Sequence, residues 1–285
     1  MDRLIFMVKP ILYETHMHTP LCRHAVGDPE EYAAVAEARG LRGIVVTCHN
    51  PIPDGWSASV RMQMEEFDQY LALVERARKE WVGRVDIRLG LESDYAPGME
   101  PWLKELHGRA ELHHVLGSVH PQVPDYYQKY FKDDWQAYQK LYFEHLAMAA
   151  ESGLFDTLAH PDLVKNLAPQ EWVLERIWKD VERSLDRIAA TGICMELNTS
   201  GLNKAIPEMN PGPEILKAMC QRNIPVVIGA DAHSPKRVAD HYEEAMDQLE
   251  IAGYSEIQMI LERHRKSVDL AEARASLRLG VPGIV

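Results

Sequence analysis

Seven short runs rich in valine, isoleucine and leucine punctuate this 285-residue chain, and most are followed by turn residues and a longer segment of helical periodicity. The runs end near His16 and His18, at 43–49, at 85–92, at 114–120, at 154–160, at 193–198 and at 224–231. Strands buried on both faces read as continuous apolar runs, and parallel pairing requires a crossover between them, so the alternation predicts a βαβα chain with a parallel sheet. Helices are predicted over 29–39, 62–81, 134–152, 171–190, 213–222 and 235–252, with a further one from 255 to about 266. Asp28 and Pro29 form a start signal, Gly153 and Gly192 are stops, and Ser234 is a cap. No low-complexity tract or Ser/Gly linker divides the chain, so one domain spanning 1–285 is expected. Right-handed crossovers over seven parallel strands favour a closed or nearly closed (β/α) barrel, with an open doubly wound sheet as the competing architecture.

Six of the seven runs end in a residue type that binds metals: His16 and His18, His49, Glu92, His120, His160, and Asp231 with His233 just beyond. One H-x-H pair in a chain with 13 histidines means little, because chance supplies roughly half a pair. The recurrence at strand ends is different, since in a barrel all C-terminal ends share one face. Adding His24 from the following loop gives seven histidines and two carboxylates. A zinc or iron site uses three or four protein ligands, so nine donors suit two or three divalent ions. Imidazole-rich sets favour zinc, iron or manganese over magnesium and calcium, which prefer all-oxygen shells. Two carboxylates against several dications leave a positive site suited to a phosphate, within a chain whose formal charge is −12.

That net charge offers no electrostatic footprint for duplex nucleic acid, and no nucleotide-binding glycine motif follows the first run. No apolar stretch is long enough to span a membrane, the first residues do not read as a signal peptide, and the four cysteines are scattered, so a reduced, cytoplasmic protein is expected. Cys22 and Cys48 lie near histidines, but a free cysteine is more often a small buried hydrophobe. A homo-oligomer is compatible with the sequence.

The chain resembles the PHP family, named for polymerase and histidinol phosphatase. The resemblance rests on Thr15-His16-Met17-His18-Thr19, His49, Glu92, Gly117-Ser118-Val119-His120, Ala159-His160-Pro161-Asp162 and Asp231-Ala232-His233. It is most similar to the histidinol-phosphate phosphatases, through residues 18–25, 90–95 and 196–202. The resemblance implies a distorted (β/α)7 barrel and a trinuclear site. It assigns His16, His18, Glu92 and Asp231 to one ion, Glu92, His120 and His160 to a second, and His24, His49 and His233 to a third. It implies hydrolysis of L-histidinol phosphate, in histidine biosynthesis, by a metal-bridged hydroxide, with His16, His18, Glu92, Asp231 and His233 at the chemistry. The substrate-phosphate arginine expected after Asn-Thr-Ser-Gly is replaced by Asn203 and Lys204. Lys204 and Lys165 are the candidate phosphate partners, and Ser118, Asn198 and Tyr95 complete the expected substrate contacts. A lysine supplies a point charge, not a bidentate fork.

Two other functions compete. A PHP phosphoesterase acting on nucleotides or oligonucleotides would want a basic, aromatic-rich groove. A non-catalytic metal-binding protein would show broken ligand sets. His107, His145, His241 and His264 fall in predicted helices and His113 at the far end of the fourth run, so none is expected at the site. Asp156 and Glu196 sit mid-run among apolar residues and are expected to hydrogen-bond within the barrel.

Overall fold

The computed structural model describes residues 9–277. Residues 4–8, an apolar segment at the start of the first run, lie outside them. Seven parallel strands run in chain order around a barrel: β1 (Tyr13–Glu14), β2 (Gly43–Val46), β3 (Asp86–Asp94), β4 (His114–Ser118), β5 (Thr157–Leu158), β6 (Cys194–Asn198) and β7 (Val226–Gly229). The seam between β7 and β1 closes just past the strand ends. There Met17 and Ala232 form a parallel bridge, with the His18 amide donating to Ala232 O and the Ala232 amide to His16 O, each at 2.9 Å. Closure therefore falls on the segments that carry His16, His18, Asp231 and His233.

The helices outside are α1 (Pro29–Ala38), α2 (Phe67–Glu80), α3 (Glu100–His107), α4 (Pro124–Tyr130), α5 (Trp135–Glu151), α6 (Trp178–Thr191), α7 (Pro213–Gln221) and α8 (Tyr242–Ala252). The expected start at Asp28 holds: Glu31 accepts from the Asp28 amide at 2.8 Å, the reciprocal half of a capping box. Several boundaries move inward. α2 starts at Phe67 after a 3-10 turn, and α6 starts at Trp178, not near 171. The segment expected to be helical from Pro235 breaks at Ala239 and His241, both at positive φ, and Ser234 makes no side-chain cap bond. α3 and α4, of eight and seven residues, are additions.

The expected helix at 255–266 is instead an antiparallel hairpin of β8 (Glu256–Leu261) and β9 (His264–Asp269), followed by α9 (Leu270–Ser276). Its turn residues, Glu262 and Arg263, have φ of 54° and 62°. A two-residue hairpin turn with both φ positive normally advertises itself with Asn or Gly, and here that signal is missing. Tertiary contacts hold it: Arg263 pairs with Asp156 at 2.6 Å, and its amide donates to His113 O at 3.0 Å. The hairpin thus lies against the end of the barrel opposite the nine expected donors. Among the described residues no helix is long and apolar enough to cross a membrane.

Candidate metal centre

Parallel strands deliver all nine expected donors to one end of the barrel. Residues two apart on a strand share a face, which places His16 with His18 and Glu92 with Asp94. A parallel bridge between His49 and Glu92 extends the β2–β3 pairing into the site. His160 and Asp231 sit at φ of 29° and 49°, a left-handed backbone that non-glycine residues adopt at a cost of about 1–3 kcal/mol. Both turns aim a donor inward where a strand ends.

The donor spacings match a coordination shell. For bonds of about 2.0–2.1 Å, tetrahedral donors stand about 3.4 Å apart. His16 Nε2 is 3.4 Å from Glu92 Oε2 and 3.7 Å from Asp231 Oδ1; His18 Nε2 is 3.5 and 3.2 Å from the same atoms. The other Glu92 oxygen, Oε1, lies 3.3 Å from His120 Nε2 and 2.9 Å from His160 Nε2. One carboxylate therefore faces two sets of donors, as a bridging ligand would. His24, His49 and His233 form a third set, with donor atoms within 4.8 Å of one another.

Tautomers decide whether these atoms are lone pairs. His16 Nδ1 lies 2.7 Å from Glu196 Oε1 and His120 Nδ1 3.0 Å from Asp94 Oδ1, so both rings carry the proton on Nδ1 and turn an Nε2 lone pair to the centre. His24 Nδ1 and His233 Nδ1 face the carbonyls of Cys22 and Asp231 at 2.7 and 3.0 Å. Their Nε2 atoms then meet lone pair to lone pair at 3.0 Å, an arrangement that repels unless a cation stands nearby. His16 Nε2, His18 Nε2 and Glu92 Oε2 are buried without a hydrogen-bond partner. Orphaned acceptors at coordination spacing fit divalent ions.

Electrostatics favour ligation at both carboxylates and at two of the histidines, while an ion at His16, His18 or His120 would displace a proton that the neighbouring carboxylates otherwise hold there. Burial raises the pKa values of Glu92 and Asp231, but the surrounding histidines outweigh it and hold both carboxyls well below the usual range. Burial pushes His49 down to about 4 and His233 down to about 2, keeping both neutral and able to donate electron pairs. His18 is raised to about 9, because Asp231, Cys48 and Glu92 outweigh its burial.

A cavity of about 460 Å³ opens over the cluster, lined by His24, His49, Glu92, His120, His160, Asp231 and His233, with His16 and His18 buried beneath. Of the expected substrate contacts, Lys204 lines this cavity, its Nζ 3.8 Å from Asp231 Oδ2. Ser118 donates to Glu92 Oε1 at 2.6 Å. Three others lie off the cavity. The Lys165 ammonium is fully buried, donating to Asp162 Oδ2 and Met209 O at 2.9 Å each, and so pins the loop after β6. The Tyr95 hydroxyl donates to Glu100 at 2.7 Å. Asn198 supports Glu196 and caps the turn at Ser200.

Glu196 lies behind the centre. It accepts from His16 Nδ1, from the His160 amide at 2.9 Å and from Asn198. Gly229 makes room for it, since a Cβ there would fall 2.1 Å from Glu196 Oε1. Asp156 instead serves the far end, accepting from the Val115 amide at 2.8 Å. Of the discounted histidines, His107 and His145 bond to Ser93 and Tyr126, and His264 lies in β9, not in a helix. Three participants were not anticipated. Glu14 accepts from the amides of His16, Ala230 and Ala239 and ties β1 to the β7 end. Asp94, two residues beyond Glu92, could have been found from strand alternation. Arg61, on the cavity wall, carries no sequence signal. Cys22 Sγ comes within 4.8 Å of His18 and His233 donors, and Cys48 Sγ accepts from Thr19 Oγ1 at 3.2 Å.

Comparison with known proteins finds a matching family, two relatives in sequence and one likeness in fold. A family model described as "PHP domain" matches residues 14–200. A Deinococcus radiodurans protein named "Probable histidinol-phosphatase" is 35% identical over 261 residues, covering 90% of this chain and 98% of that one. The histidinol-phosphatase of Bacillus subtilis is 26% identical over 264 residues, 82% of this chain and 97% of that one. Among solved structures, a histidinol phosphate phosphatase from Lactococcus lactis, determined with zinc, L-histidinol and phosphate, aligns with a TM-score of 0.71 at 17% identity, over 89% of this chain and 98% of that one. That likeness is one of fold.

Proposed function

The chain belongs to the PHP domain family, and from that premise we propose that residues 1–285 act as one metal-dependent phosphomonoesterase domain whose substrate is L-histidinol phosphate. One observation carries the phosphatase chemistry: the two Glu92 oxygens face two donor sets at once, with His16, His18 and Asp231 at coordination spacing on one side and His120 and His160 on the other. His16, His18, Glu92 and Asp231 would hold one ion, Glu92, His120 and His160 a second, and His24, His49 and His233 a third. Divalent ions bound there, zinc, iron or manganese, supply an activated water and neutralise charge on the phosphoryl oxygens.

The chain's own residues do the rest. Glu196 and Asp94 fix the ring tautomers of His16 and His120. Ser118 orients the Glu92 carboxylate, and Ser200 orients Asp231 by donating to Oδ2 at 3.0 Å. Lys204 brings a cation to the rim, where a phosphate dianion would meet it, and takes the place of the arginine seen in the resemblance. The cavity is of a size for a small ester. The substrate assignment is supported by the names of the relatives at 35% and 26% identity and by the Lactococcus protein's bound L-histidinol and phosphate.

Phosphate release should be measured on histidinol phosphate, p-nitrophenyl phosphate and a short oligonucleotide, with protein loaded with zinc, iron or manganese. Fastest turnover of histidinol phosphate is expected. Rapid turnover of another ester without turnover of histidinol phosphate would refute the substrate, and no turnover of any ester by protein holding two or more ions would refute the phosphatase.

A further inference from the structure

Behind His49 and His120 lies a buried trio of polar residues: Asn50, Arg61 and Asp94, exposed by 0, 1 and 3%. Arg61 follows the turn at Ala58–Val60 in the β2–α2 connection. Its NH1 donates to Asn50 O at 2.9 Å and to Asn50 Oδ1 at 3.3 Å, and its NH2 pairs with Asp94 Oδ2. Asn50 in turn accepts from the Asp94 amide at 3.0 Å, and its own amide donates to Glu92 O. The network locks the ends of β2 and β3 together where they deliver His49 and Glu92.

Asp94 is the ambiguous member. Its Oδ1 lies 3.0 Å from His120 Nδ1 and 3.8 Å from His49 Nδ1, and His49, Asp94 and His120 by themselves offer donor atoms close enough to hold an ion. Such a triad would take His120 through Nδ1. The set with Glu92 and His160 takes it through Nε2. A neutral imidazole offers one lone pair, so the two arrangements compete for the same ring. With the guanidinium on Oδ2, the Asp94 charge is already met, and Oδ1 is left to accept the His120 Nδ1 proton. Packing is a poor account of Arg61, because its Nε is buried without a partner, a cost that an apolar side chain would avoid.

We propose that Arg61 is a positioning residue that keeps Asp94 out of the coordination sphere, so that His120 presents Nε2 to the ion it would share with Glu92 and His160. The role rests on the metal centre described above. A lysine could reach Asp94 or Asn50 but lacks the fork that grips both, so Arg61→Lys restores only part of the effect.

The test is cobalt binding, with no substrate present. Wild type, Arg61→Met, Arg61→Lys, Asp94→Asn and the double variant Arg61→Met/Asp94→Asn are titrated with Co2+, bound metal per chain is counted, and the visible spectrum recorded alongside circular dichroism. In Arg61→Met the weakest-held ion should bind about 10- to 100-fold less tightly, with a changed spectrum. The double variant should match Asp94→Asn within about twofold, because Arg61 acts through Asp94. Wild-type affinity and spectrum in Arg61→Met, or losses that multiply in the double variant, overturn the proposal. If Arg61→Met does not fold, Arg61→Lys decides, and unchanged binding there overturns it. Fewer than two ions on the wild-type chain overturns the metal centre as well, so the two failures are distinguishable.

Discussion

Glu196→Gln isolates what the carboxylate behind His16 does. Glu196 is fully buried, and burial would raise its pKa, yet His16 and its other partners hold the carboxyl below the usual range. Its Oε1 faces His16 Nδ1 at 2.7 Å, and its Oε2 accepts from the His160 amide and Asn198 Nδ2, each at 2.9 Å. A glutamine has one acceptor oxygen. If that oxygen stays on His16, its NH2 meets two donors, and those N–H groups lose their acceptor. If the amide is reversed, the NH2 faces His16 Nδ1, the ring proton moves to Nε2, and the lone pair aimed at the centre is gone. The first orientation leaves two buried donors unsatisfied, at about 1–3 kcal/mol each, or about 2–6 kcal/mol of stability. The second costs about 10- to 100-fold in metal affinity or activity. Urea denaturation, metal content and kcat on one preparation cover both. A Glu196→Gln protein matching wild type in all three would refute the assignment of His16 tautomer and support to Glu196.

Gly229→Ala should act on the same pair from the other side: its Cβ would lie 2.1 Å from Glu196 Oε1 and 2.9 Å from His16 Cβ, and the resulting overpacking should cost about 1–3 kcal/mol in denaturant titration, with metal affinity falling alongside. Lys204→Ala should raise KM more than it lowers kcat, and weaken inhibition by inorganic phosphate, with Lys204→Arg restoring both; equal KM in all three would remove Lys204 from the phosphate site. Stability should also fall with acid through His145. Burial lowers its pKa from 6.5 to about 4, so below pH 6.5 the unfolded chain takes up a proton that the folded chain refuses until about pH 4. That term is worth on the order of 3 kcal/mol, present above pH 6.5 and lost by pH 4. His145→Gln should flatten the pH dependence of the unfolding free energy over that window.

The barrel and the gathering of nine candidate donors at one of its ends were legible for physical reasons. Strands such as Gly43–Val46 and Val226–Gly229 are buried on both faces, so they read as apolar runs whatever surrounds them. The donors sit at the ends of those runs, and parallel order gathers such ends without any knowledge of loop shape. Glu196 was legible as a mid-strand acid among apolar neighbours. Loops were not. Lys165 and Tyr95 follow the right strands, but their side chains turn to Asp162 and Glu100, directions set by tertiary contacts that no local pattern encodes. The hairpin at Glu256–Asp269 was hidden because Glu262 and Arg263 occupy turn positions usually given to asparagine and glycine. Arg61 was hidden for a similar reason: nothing in its own segment distinguishes a surface arginine from one buried against Asp94.

The nine side chains are proposed to hold several ions, with Glu92 shared between two of them. X-ray diffraction from metal-loaded crystals, with anomalous data at the zinc, iron and manganese edges, tests this proposal directly. At least two anomalous peaks are expected, one within bonding distance of His16, His18 and Asp231 and another of His120 and His160, with one Glu92 oxygen on each. A single peak, or peaks that leave Glu92 unbound, would contradict it.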